Sequence, residues 1–143
     1  MKVILQRCQS AKVTFDQVEN KINYGLVIFV GFTHDDNEEK IDYLINKIIN
    51  LRIFEDENGL MNKSILDISG EILSISQFTL YANCEKGRRP SFTEALDPKI
   101  ATKFYDLFNQ KLTEKIKTKT GKFGAVMKVH LINDGPVTII LER

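Results

Sequence analysis

Apolar and polar residues alternate along KVILQRC (residues 2–8) and AKVTFD (11–16), with Val13 and Phe15 on one face and Lys12, Thr14 and Asp16 on the other. Alternation of period two marks a half-buried strand, so the two runs are expected as paired strands. GLVIFVGF (25–32) is apolar without interruption, as a strand covered on both faces would be. Asp36, with Glu39 three residues on, reads as a capping box. It opens a helix on which Ile41, Leu44, Ile45, Ile48 and Leu51 recur at helical spacing, ending near Arg52. DENG (56–59) is turn-forming. EILSISQFTL (71–80) alternates again, with Leu73, Ile75, Gln77 and Thr79 opposite Ile72, Ser74, Ser76, Phe78 and Leu80. After a loop over 82–98, a second amphipathic helix is expected over 99–117, presenting Ile100, Phe104, Leu107, Phe108 and Ile116. A loop over 118–124 leads to two closing strands, AVMKVHL (125–131) and PVTIILE (136–142). The pattern predicts an α/β fold in a single domain over residues 1–143, with two main helices packed on one side of a sheet system.

Composition changes that picture little. Over 143 residues, 43% hydrophobic and 27% charged, the chain has the balance of a globular domain with a sizeable core. No run of about 18 apolar residues suggests a membrane span, and the start is too short and broken to be a signal peptide. A cytoplasmic protein is expected, with Cys8 and Cys84 as reduced thiols. The net charge of +1 conceals asymmetry: eight acids lie against three bases in 35–57, and six lysines against Glu114 in 111–128. A second basic knot is Lys86-Gly87-Arg88-Arg89. These patches fit either phosphate binding or a solvated surface.

The candidate chemistry is narrowed by what is missing. The two histidines, His34 and His130, have no partner motif and read as surface or structural residues. No HExxH, paired CxxC, DxDxDG, GxSxG or phosphate-binding glycine loop occurs, so neither a metal nor a cofactor is expected. SQFTL (76–80) sets hydroxyls and an amide into an apolar strand. They serve either to bond the nearby backbone or to line a pocket with hydrogen-bond donors. Thr79 lacks the adjacent base that a threonine nucleophile needs. Phe123, beside Lys122 and between two glycines, is either a stacking platform for a base or a core plug. INDGPVT (132–138) looks like hairpin punctuation, yet Pro136 has no N–H for a sheet ladder. It is a plain turn, or the Gly135-Pro136 peptide is itself the working part.

SQFTL and NDGPVT (133–138), in that order, resemble the two signatures of the D-aminoacyl-tRNA deacylase family. The likeness extends through LQR (5–7), RIFEDENGLMNKS (52–64), GRRPSF (87–92) and TGKFGAVMKVHLINDGPVT (120–138). Leu60, where the family usually has lysine, and Cys84-Glu85-Lys86 depart from the pattern without touching either signature. The resemblance implies a three-layer β/β/α fold and a homodimer that hydrolyses the ester between a D-amino acid and the terminal adenosine of tRNA. Glycyl-tRNA, including glycine mischarged on alanine tRNA, would pass the same filter. Gly135 and Pro136 would form a cis peptide that enters the partner's site, holds the substrate's amino group and excludes an L side chain, with Arg7 as its brace. Ser76, Gln77, Phe78 and Thr79 would supply the catalytic edge, assisted by the substrate's own 2′-hydroxyl. Phe123, Met127 and Lys122 would surround the 3′ adenosine. Neither DNA nor a membrane is an expected partner. Two competing readings are a relative selective for L-substrates and a catalytically silent RNA-binding domain.

Overall fold

The computed structural model describes residues 1–143. Its longest strands are two that the sequence pattern divides. KVILQRC and AKVTFD are not partners but parts of one strand, β1 (Lys2–Phe15). Its partner along one edge is β8 (Lys128–Glu142), which runs straight through the expected INDGPVT hairpin. The opposite edge of β1 is shared by β3 (Gly25–Gly31), against residues 2–8, and β2 (Val18–Ile22), against residues 11–15. Asp16 and Gln17, with φ of 44° and 65°, make the tight β1–β2 turn. Beyond β3 lie β6 (Glu71–Ser76) and then β7 (Thr118–Thr120), both parallel to their neighbours. Asn20 Nδ2 donates to Thr120 O at 2.7 Å, drawing β2 toward β7 and curling the sheet almost into a barrel.

Two cores result, and β1 serves both. Val3 and Leu5 face the larger core, whereas Cys8, Ala11 and Val13 face the smaller one. The change of parity comes from a bulge at Gln9, where the register steps from Cys8↔Asn133 to Ser10↔Ile132. One extra residue reverses which side chains point inward from there on. On β3, Leu26, Ile28 and Val30 enter the larger core and Val27 the smaller, which explains its continuous apolar run. The curled sheet around the small core, with helices over the large core, forms the β/β/α layering.

Helix α1 (Glu38–Asn50) is capped by Asn37, whose side chain accepts from Lys40 N at 3.0 Å. The Asp36–Glu39 capping box does not form, because Asp36 accepts from Thr33 N at 2.8 Å and pairs with the Met1 ammonium. Helix α2 (Pro98–Thr113) starts on Asp97, with proline at its first position, and stops short of residue 117. Its buried stripe is Ala101, Tyr105, Phe108 and Leu112, one residue round from the expected Ile100 and Phe104. Ile100 is 47% exposed. The short β4 (Phe54–Glu55) and β5 (Met61–Lys63) flank the predicted 56–59 turn. No helix is long and apolar enough to cross a membrane.

Candidate active site

Parallel β3 and β6 end side by side, and a cavity of about 560 Å³ opens where they stop. The strand expected over 71–80 ends at Ser76. From there the chain turns into one 3-10 turn, Phe78–Tyr81, with Gln77 N donating back to Val30 O at 2.8 Å. This turn packs directly on Gly31. A Cβ there would lie 3.0 Å from Gln77 O and 3.1 Å from Leu80 Cβ, so only glycine admits it without displacement. Gln77 gives the turn no side-chain cap. The leading N–H groups of a helical turn have no acceptor within it, so those of Phe78 and Thr79 are left without a partner inside the turn.

Ser76, Gln77 and Phe78 line the cavity from this side, and Phe123 and Met127 line it from the other. Phe78, 58% exposed, stands edge-on to Phe92 at 5.0 Å between ring centres. Phe123 is half-buried and tilts against Tyr105 at 6.0 Å, so it both packs on the core and shapes the cavity wall. Tyr105 in turn donates to Ser74 O at 2.8 Å, and burial pushes its phenol above the ordinary range.

Two expected site residues stand outside the lining. Thr79 faces away on the 3-10 turn, where its hydroxyl accepts from Gln77 Nε2 and meets no base. Lys122 points to solvent and pairs with Asp16 at 2.6 Å. For Thr79 the cause is that residues 77–80 coil instead of extending the strand, so alternation along 71–80 no longer predicts its direction. His34 Nε2 bonds Thr93 O at 2.8 Å, bracing the loop that carries Phe92, and His130 lies exposed on β8. No three His, Cys, Asp or Glu side chains gather as a metal site would require.

Gly135 and Pro136 occupy a different place. The β1–β8 register passes from Gln6↔Thr138 to Cys8↔Asn133, so Arg7 alone faces four residues, 134–137. That surplus is expelled as a loop within the strand. Asn133 Nδ2 stitches across its base, donating to Arg7 O at 2.9 Å and Val137 O at 3.1 Å. Val137 anchors one side in the large core, leaving Gly135 and Pro136 at the exposed tip, joined by a cis peptide. Gly135 has φ +111°, and a Cβ on it would lie 3.0 Å from both Arg7 Nη2 and Val137 Cγ2. Arg7, 3% exposed, donates from Nη1 to Ile53 O at 2.7 Å and lies 3.7 Å from Glu55. Arg7 pairs with Leu26 and the cavity begins at Val30, so strand spacing of about 3.3 Å per residue separates tip and cavity by roughly 13 Å. Within one chain the two signatures do not meet.

The model of the family described as D-Tyr-tRNA(Tyr) deacylase matches residues 4–142. The chain belongs to the D-aminoacyl-tRNA deacylase family. Proteins called D-aminoacyl-tRNA deacylase from Bacillus cytotoxicus and Bacillus cereus are each 54% identical to it, with 99% of both chains covered. A solved structure of a protein called c-Myc DNA Unwinding Element Binding Protein is 40% identical, superimposes with a TM-score of 0.94, and covers 100% of this chain and 99% of its own. A structure described as a probable eukaryotic D-amino acid tRNA deacylase shares the fold at 16% identity, with a TM-score of 0.85, covering 98% of this chain and 97% of its own. Membership makes this protein a hydrolase whose substrate is aminoacylated tRNA.

Sequence reasoning missed Gly31, Phe92 and Asn133. Phe92 lay within the quoted GRRPSF and Asn133 within NDGPVT, but their roles depend on contacts between segments far apart in sequence.

Proposed function

We propose that this deacylase proofreads chirality: it cleaves D-aminoacyl-tRNA and glycyl-tRNA, including glycine mischarged on alanine tRNA, and rejects L-aminoacyl-tRNA by a wall made of Gly135 and Pro136. The observation that carries this reading is the exposed Gly135–Pro136 tip, braced by a buried arginine yet remote from its own cavity. A tip that cannot serve its own chain's cavity serves a second copy's, so the working unit is a homodimer with composite sites. The terminal adenosine occupies the cavity against Phe123 and Met127. Lys122 exchanges Asp16 for a tRNA phosphate, and the Gly135 and Pro136 carbonyl oxygens accept from the substrate's ammonium.

Chemistry then needs little from protein side chains. Water adds to the ester carbonyl while the 2′-hydroxyl of the adenosine relays its proton toward the departing 3′-oxygen. The carbonyl oxygen, negative in the tetrahedral intermediate, is stabilised by N–H donors at Phe78 and Thr79, with Ser76 and Gln77 shaping the edge. Collapse expels the 3′-oxygen with the relayed proton, releasing the amino acid and tRNA. The cytoplasm, where aminoacyl-tRNA is made and used, is the place of action.

Mixed dimers test the trans arrangement. A Gly135→Ala protomer retains an intact cavity, and a Phe123→Ala protomer an intact wall. Paired, they form one complete composite site, so the mixture should recover deacylation beyond that of either impaired homodimer. A mixed dimer no more active than the average of its parents would contradict the proposal.

A further inference from the structure

Asp134, immediately before the Gly135–Pro136 tip, is the most heavily engaged carboxylate on β8. Arg7 Nε lies 3.0 Å from its Oδ2, as an ion pair rather than an aligned hydrogen bond. Tyr24 donates its hydroxyl to the same oxygen at 3.2 Å, and Gln9 Nε2 donates to Oδ1 at 3.2 Å. The three donors come from separate places: the strand facing the excursion, its bulge, and the β2–β3 turn. Tyr24 is itself fixed, its ring standing edge-on to Phe54 at 5.5 Å. Phe54 adjoins Ile53, whose carbonyl accepts from Arg7 Nη1 at 2.7 Å, so the contacts close into a ring beneath the tip. Burial and the neighbouring Asp134 charge both hold the Tyr24 phenol above its ordinary range, keeping it a donor.

Taking the chiral-wall reading as given, we propose that Asp134 is a positioning residue for substrate handedness, fixing the wall through Arg7, Tyr24 and Gln9. The geometry gives each anchor a distinct part. Val137 holds the far side by burial, and Asn133 holds the base through its amide. The near side would otherwise swing about Gly135, the residue with the widest backbone freedom. Beyond the Asn133 pairing with Cys8, the Asp134 carboxylate supplies the side-chain restraint there. A wall that swings admits an L side chain into volume it should occupy, whereas a D side chain, pointing elsewhere, is little affected. The signature of lost positioning is thus acquired L-activity rather than lost D-activity.

The experiment compares Asp134→Ala, Asp134→Asn, Tyr24→Phe and Gly135→Ala on D- and L-aminoacyl-tRNA, with kcat and KM resolved and thermal melts alongside. Loss of a hydrogen-bonded charge should lower the D-over-L ratio of kcat/KM about tenfold in Asp134→Ala, through a gain on the L-substrate. Asp134→Asn, which keeps an acceptor for Tyr24, should recover part of that ratio. Tyr24→Phe keeps the ring against Phe54 and removes only the hydroxyl, so it carries the test even if Asp134→Ala fails to fold; it should lower the ratio severalfold. Unchanged ratios in folded Asp134→Ala and Tyr24→Phe, with Gly135→Ala impaired, would overturn the positioning role and leave the wall standing. An unimpaired Gly135→Ala would instead remove the wall, and this inference with it.

Discussion

Thr79 shows how a residue's chemistry depends on what it touches. Its hydroxyl accepts from Gln77 Nε2 and has neither a base beside it nor a place in the cavity lining. A nucleophilic hydroxyl needs its proton removed, and an amide donor does the opposite. Thr79→Ala should retain deacylation within about tenfold of the parent, a loss of no more than roughly 1.4 kcal/mol in transition-state stabilisation. Single-turnover hydrolysis of D-aminoacyl-tRNA measures it. Collapse to background in a folded variant would make Thr79 a covalent catalyst and displace the 2′-hydroxyl from the role proposed for it. The missing base was evident in the sequence, because the histidine inventory is so small. The direction of the hydroxyl was not, since QFTL alternates like a strand but coils into a 3-10 turn against Gly31.

At the scale of elements, what the sequence disclosed was local and what it concealed was pairing. Helix α1 and the two-sided strand β3 follow from periodicity alone, with only the capping residue displaced from Asp36 to Asn37. The long strands were read as shorter pieces because Gly135-Pro136 carries the chemistry of a turn. It is an excursion, held within β8 by pairing to β1, more than 120 residues earlier, and no local rule reports that. In α2 the sequence found the amphipathic helix and the burial of Phe108, but set Ile100 on the inner face where Ala101 lies. Phe108→Ala should therefore cost about 3–5 kcal/mol by leaving a cavity in the large core. Ile100→Ala should stay within about 0.5 kcal/mol. Urea denaturation of both variants decides it, and comparable losses would mean that the stripe is misplaced.

For the whole molecule, the fold explains why one chain carries two signatures that it cannot use together. The cavity needs the ends of two parallel strands, while the tip needs a long antiparallel ladder with residues to spare. A single small sheet sets them on different stretches of strand, and the proposed homodimer would bring one copy's tip to the other's cavity. The central claim is that the tip is a chiral wall, and Gly135 tests it most directly. An added methyl group would lie 3.0 Å from Arg7 Nη2 and Val137 Cγ2, at a φ of +111° that L residues seldom adopt. Backbone of this kind costs roughly 1–3 kcal/mol, so a modest fall in melting temperature accompanies the change without unfolding the domain. The measurement is the hydrolysis of D-aminoacyl-, glycyl- and L-aminoacyl-tRNA by Gly135→Ala alongside the parent protein, with melting curves for both. The account predicts a folded variant impaired on the D- and glycyl substrates, with the L-substrate still refused. A folded Gly135→Ala that cleaves D-aminoacyl-tRNA as fast as the parent would make Gly135-Pro136 an ordinary kink in a strand and contradict the account at its centre.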